Sequence, residues 1–125
     1  MNPINFGSRD VYVSASGRSD VGRQRQKNED RFLISDLNPP DPNTPPHAGG
    51  VAVGPKGILL LVADGMGGAA AGEVASEMAT VLIHDRLLTR WVRERRSSPR
   101  DFAFCLEEAI TRANLEIHQR ATEDP

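Results

Sequence analysis

Residues 58–68 read Ile58-Leu59-Leu60-Leu61-Val62-Ala63-Asp64-Gly65-Met66-Gly67-Gly68. Six consecutive apolar residues ended by a turn fit a buried strand, and an unbroken run without alternation predicts a central strand covered on both faces. The run stops at an Asp-Gly step followed by two further glycines, a turn that glycine adopts at little steric cost. A carboxylate is thereby placed at the carboxyl end of a strand, on a rigid support at the rim of a sheet. Beyond the turn, Ala69-Ala70-Ala71 opens a helical pattern that extends to about Arg95. Val74, Met78, Val81, Leu82, Leu88 and Val92 define its predicted buried stripe, and Glu73, Glu77, Arg86, Arg90 and Arg93 its solvent side.

The remaining elements follow outward from this core. Ser97 to Arg100 interrupts the helix, and Ser98-Pro99-Arg100-Asp101 has the form of a new start: a serine cap, proline at the first helical position and an acid in the first turn. The second helix presents Phe102, Leu106, Ala109, Ile110, Ala113 and Ile117, with Cys105 on the same apolar side. Two amphipathic helices joined by a short break predict an antiparallel pair lying on the sheet. Upstream, Val11 to Ser16 alternates as a strand with Val11, Val13 and Ala15 on one side, and Ser16 to Lys27 is polar loop. Arg31 to Leu37 forms another strand around Phe32-Leu33-Ile34. Asn38 to Gly57 holds six prolines and four glycines, which predicts an exposed hairpin connection and the first site of proteolytic cutting. The class expected is α+β.

Composition removes several function classes. The 125 residues include 15 basic and 17 acidic side chains, a net charge of -2, so no global field draws the chain to nucleic acid or anionic membrane. No apolar run reaches the roughly 18 residues of a membrane span. Met1 to Gly7 lacks the charged-then-apolar order of a signal peptide. A single Cys105 excludes an internal disulfide and a cysteine metal site, and fits a cytoplasmic setting.

The residues with chemistry to offer are few. Asp64 and the Gly65 carbonyl are hard oxygen donors of the kind magnesium and manganese prefer. Lys27-Asn28-Glu29-Asp30-Arg31 adds two adjacent carboxylates at the entrance to a strand, where neighbouring side chains point to opposite faces. Glu29 and Asp30 are therefore able to divide between an ion, or its waters, and a supporting contact. Arg25 offers a guanidinium fork that matches phosphate oxygens. The plain alternatives are an Asp-Gly turn bonded to its own amides and a solvated charged loop. His47, His84 and His118 have no partner at metal-ligand spacing, and no Gly-x-Ser-x-Gly elbow occurs.

On these residues the chain resembles the metal-dependent protein phosphatases of the protein phosphatase 2C type. Gly22, Arg25, Asn28, Glu29 and Asp30 match the family's opening pattern. Asp64 to Gly68, followed by Gly72-Glu73-Val74-Ala75-Ser76, match its second. The likeness runs from about Val11 to Pro125. It implies a four-layer α-β-β-α sandwich of two antiparallel sheets flanked by helix pairs, of which residues 1–125 would form the N-terminal part of the catalytic domain. It also implies roles: Asp64 bridging two Mn2+ or Mg2+ ions, the Gly65 carbonyl on one of them, Glu29 and Asp30 holding metal-bound waters or their neighbours, and Arg25 on the substrate phosphate. The reaction implied is hydrolysis of phosphoserine or phosphothreonine in proteins by a metal-activated water, with a cognate Ser/Thr kinase as a further partner. The family's later segments, Gly-Met-Gly-Thr-Thr, Gly-Asp-Ser-Arg, a second Asp-Gly and an Asp-Asn, have no counterpart here. The expectation is thus a partial site, with two outcomes: a phosphatase once the other carboxylates are present, or a catalytically dead remnant that binds phosphoproteins or ions weakly.

Overall fold

The strand that anchors the reading forms, and its neighbour is the strand on the far side of the proline-rich segment. In the structure, a computed structural model that describes residues 11–19, 30–39, 50–65 and 71–123, β1 is Tyr12–Val13, β2 Arg31–Asp36, β3 Val51–Ala52 and β4 Ile58–Ala63. Two helices follow, α1 (Ala71–Arg86) and α2 (Pro99–Glu123), with a π-helical segment at Leu87–Trp91 between them. β2 and β4 pair antiparallel from Arg31↔Ala63 to Asp36↔Ile58. β1 and β3 make a second antiparallel pair, Tyr12↔Ala52 and Val13↔Val51. The class is α+β, with two small antiparallel sheets and two helices.

Several sequence expectations need correction. First, β4 is not covered on both faces. Leu59 is buried, whereas Leu60 and Val62 are 60% and 79% exposed, because the helices cover the Leu59 side and, among the described residues, β4 pairs with β2 alone. Phe32 and Ile34 share that open face. Second, Asn38 to Gly57 is not loop throughout: β3 lies within it, and the chain turns at Gly54–Gly57 through the Gly57 N–H to Gly54 carbonyl bond (3.0 Å). Residues 40–49 lie outside the described residues, so the expected cutting site falls partly there. The strand expected over Val11 to Ser16 shortens to Tyr12–Val13. Third, the buried stripe of α1 is displaced. Gly72, Ser76 and Ile83 face inward, continued by Leu87 and Trp91, while Val74, Val81 and Leu88 are exposed. Small residues at positions 72 and 76 let the helix axis approach β2 and β4, so the bulkier valines turn away.

The helix expected to run to Arg95 ends at Arg86. Its continuation is wider, with the Val92 N–H bonded to the Leu87 carbonyl at 3.0 Å, five residues back. This segment places Leu87 and Trp91, 0% and 2% exposed, at the centre of the core with Leu37, Leu59, Ile83, Cys105, Ala109 and Ala113. The second helix starts as expected. The Asp101 N–H donates to Ser98 Oγ (3.1 Å), and the Ser98 hydroxyl donates to Asp101 Oδ2 (2.6 Å), which satisfies a first-turn donor. Trp91 meets Phe102 edge-on with ring centroids 5.3 Å apart, and Arg86 meets Glu108, so the helices run antiparallel. Cys105 is buried as expected, and burial pushes its thiol pKa up.

One polar joint fastens the sheets to the helices. Lys56 is buried at the β3–β4 turn with its ammonium 4.2 Å from the centroid of the Trp91 ring. It donates to the Glu94 carbonyl and to the Arg96 carbonyl (3.2 Å), while Trp91 Nε1–H donates to the Lys56 carbonyl (2.8 Å). A cation thus satisfies two carbonyls of the connection between the π-helical segment and α2. Alongside it, Asn38 Oδ1 accepts from the Lys56 N–H (2.8 Å), and the Leu37 N–H bonds the Gly57 carbonyl (3.0 Å). A Cβ on Gly54 would press on the Asn38 amide, so a larger residue there would displace that amide from its bond to Lys56.

Between the helices, Glu108 is shared by two arginines, with Arg86 Nη2 at 2.6 Å and Arg90 Nη1 at 2.8 Å. The Arg86 hydrogen bond, with Arg90 beside it, lowers the Glu108 pKa from its ordinary 4.5. A carboxylate depressed in the folded state adds stability above its unfolded pKa and loses it as pH falls through the folded value. Glu108→Gln should therefore lower the urea midpoint at pH 7. That deficit should shrink as the pH falls below 4.5. A deficit independent of pH would show that the carboxylate charge is not its source.

Candidate functional site

The β2–β4 register carries the two sequence segments to one place. Continued one step past Arg31↔Ala63, it sets Asp30 across from Asp64 at the end of the sheet. The Gly65 N–H donates to Asp30 Oδ1 at 3.2 Å, although 35 residues separate them. Asp30 is half-buried, Asp64 exposed and Gly65 buried. Two strand-end carboxylates and the Gly65 amide therefore share one corner, fixed by a ladder of two six-residue strands.

The support around this corner comes from β2 and α1. Arg31 Nη2 reaches Glu73 Oε1 at 3.0 Å, joining the start of β2 to the first turn of α1. Both side chains are about one-third exposed, so the pair adds on the order of 0–1 kcal/mol. Its larger effect is orientation: it holds the helix start over the strand end. Ser76 is buried and donates to the Glu73 carbonyl at 3.1 Å. Gly72, Glu73 and Ser76 thus act as the support on which the corner rests.

Asp30 and Arg31 also line an open cleft of about 690 Å³, with Arg18 and Ser19 on its polar side and Phe32, Ile34 and Val62 on its apolar floor. Comparison with known protein families, with characterised proteins and with solved structures finds no match to this chain.

Of the residues singled out from sequence, Asp30, Asp64 and Gly65 come together. Arg25 and Glu29 lie outside the described residues. Among the described residues, no group of three or more His, Cys, Asp or Glu side chains forms a metal cluster. Asp30, Asp64 and the Gly65 backbone are hard oxygen donors that fit magnesium or manganese in kind, and they supply two carboxylates. No described helix is long and apolar enough to cross a membrane.

Two features escaped sequence reasoning. Arg18 sits in a stretch whose composition marks only polar loop, yet it lines the cleft that Asp30 also lines. Ser35 Oγ and His84 Nε2 lie 2.9 Å apart across β2 and α1. No spacing signal marks that pair, because its members are 49 residues apart and meet only when the helix lies on the sheet.

Proposed function

We propose that the chain carries one part of a metal-dependent phosphoester hydrolase site acting on phosphoserine or phosphothreonine in proteins. The observation that supports it best is the hydrogen bond from the Gly65 N–H to Asp30 Oδ1. It joins the two segments on which the phosphatase resemblance rests, at the end of a shared ladder. In this reading the β1–β3 and β2–β4 pairs begin the two sheets of a four-layer sandwich, and α1 with α2 form one outer layer. Asp64 and the Gly65 carbonyl would hold Mn2+ or Mg2+, with Asp30 and Glu29 on bound waters or their neighbours. A bound ion of this kind supplies Lewis acidity and an acidified water near neutral pH. Arg25 binds the phosphate, and Arg18 adds positive charge along the cleft. Asp30 holds Gly65 by accepting its N–H and so orients the neighbouring Asp64 carboxylate.

A second reading, a weak ion- or phosphoprotein-binding module without catalysis, draws on the count of carboxylates: two at the corner and no larger cluster among the described residues. Manganese binding tests the ion site common to both. Titration followed by electron paramagnetic resonance should give a weak site, with a dissociation constant on the order of 0.1–1 mM. Asp64→Asn should weaken it about tenfold or more, and Asp30→Asn by less, while Glu77→Gln on the exposed side of α1 should leave it unchanged. Equal binding by the chain and its Asp64→Asn variant would remove the metal site.

A further inference from the structure

The connection between the π-helical segment and α2 concentrates positive charge. Residues 93–100 read Arg93-Glu94-Arg95-Arg96-Ser97-Ser98-Pro99-Arg100. They hold four arginines and one acid, whereas the rest of the chain holds eleven basic and sixteen acidic residues. All eight residues are exposed, and Glu94 to Ser98 belong to neither helix nor strand. The main chain is nonetheless held from beneath, because the Lys56 ammonium takes the Glu94 and Arg96 carbonyls. Among the described residues, the side chains of Arg93, Arg95, Arg96 and Arg100 form no ion pair. The two serines differ in their commitments. The Ser98 hydroxyl is engaged in the α2 cap, donating to Asp101 Oδ2 and accepting from the Asp101 N–H. The Ser97 hydroxyl forms no hydrogen bond among the described residues.

We infer that Ser97 is a phosphoacceptor for a serine/threonine kinase whose substrate groove is acidic. Such enzymes choose among serines by the charge pattern around them. Here arginine stands one, two and four residues before Ser97 and three residues after it. In the transfer, Ser97 Oγ bonds to the γ-phosphorus of a nucleoside triphosphate and the bond from that phosphorus to the β-phosphate oxygen breaks. The hydroxyl proton passes to the kinase's catalytic carboxylate, and the nucleoside diphosphate leaves. The product carries roughly two negative charges at pH 7. It lies amid four guanidinium groups that have no carboxylate partner among the described residues, a setting in which charge-assisted bonds form. The same phosphate on Ser98 would undo the cap and stand against the Asp101 carboxylate. Two adjacent serines are thereby set apart. The inference rests on this connection and is independent of the metal reading of Asp30 and Asp64.

The test is incubation of the 125-residue chain with magnesium ATP and the catalytic domain of protein kinase C, an arginine-directed serine/threonine kinase, with the acceptor mapped by fragmentation mass spectrometry. The phosphate should appear on Ser97. Ser97→Ala should remove it and Ser98→Ala should keep it, with the folding of both variants checked by circular dichroism. Replacing Arg95 and Arg96 together by alanine should slow incorporation about tenfold or more, equivalent to roughly 1.4 kcal/mol in the transfer barrier. Arg120→Ala, near the far end of α2, should leave the rate unchanged. A phosphate confined to Ser98, or none within residues 93–101, would overturn the inference. So would incorporation at Ser97 that is indifferent to the loss of both arginines.

Discussion

Trp91→Ala is expected to remove about 3–5 kcal/mol of folding stability, the usual cost of truncating a fully buried large aromatic. Trp91 is 2% exposed, meets Phe102 edge-on, lies beneath the Lys56 ammonium and donates to the Lys56 carbonyl. Truncation thus leaves a cavity, an unbonded carbonyl and a buried cation without its aromatic face. Against the roughly 5–15 kcal/mol that holds a domain of this size, the loss should lower the midpoint of a circular dichroism melt by about 10–20 °C. Trp91→Phe keeps the ring and loses only the N–H, so about 1–3 kcal/mol should go. A shift of only one or two degrees for Trp91→Ala would mean that the joint between the β3–β4 turn and the helices contributes little.

The second large effect concerns catalysis. Manganese-dependent hydrolysis of an aryl phosphate by the 125-residue chain should run well below 1 per second, a modest rate for an enzyme. The corner supplies two carboxylates, and magnesium-like ions need several well-placed oxygens before they give up water. Supplying the further carboxylates that the phosphatase resemblance implies, in cis or as a second chain, should bring turnover to roughly 1 per second or more. In that complete site Asp64→Asn should cost about 100-fold or more, equivalent to roughly 2.7 kcal/mol of transition-state stabilisation. Arg25→Ala should mainly raise KM through lost ground-state phosphate binding. Turnover above 1 per second by the chain alone, abolished in Asp64→Asn, would show that the two carboxylates suffice and that the partial-site account is wrong.

Signals carried by neighbouring residues were legible in the sequence. The Ser98 cap, the Cys105 face of α2, the β4 strand and its ending at Asp64 all follow from local chemistry. The pairing of β2 with β4 was also legible, since both runs are apolar and a turn-rich segment separates them. Reading failed where a residue's environment depends on what lies opposite. The run Ile58 to Ala63 looks buried on both sides because its composition cannot say that only one face meets helices. Val74 and Val81 look inward-facing because hydrophobicity outweighs small size in a helical pattern, whereas close helix–sheet approach selects Gly72 and Ser76. β3 was hidden by the prolines and glycines around it, and its two residues gain their partners only from β1.

The ladder between β2 and β4 is also a measuring device. Asp30 and Asp64 meet because each strand counts six residues from the opposite end, where Asn38, Lys56 and Gly57 clamp the hairpin. About 20 Å separates the clamp from the carboxylates, at roughly 3.4 Å per residue. A slip of one residue would turn every side chain to the wrong face, and a slip of two would carry Asp64 about 7 Å past Asp30. The alignment of the acidic corner is therefore calibrated at the far end of the sheet, by an asparagine amide that never touches it.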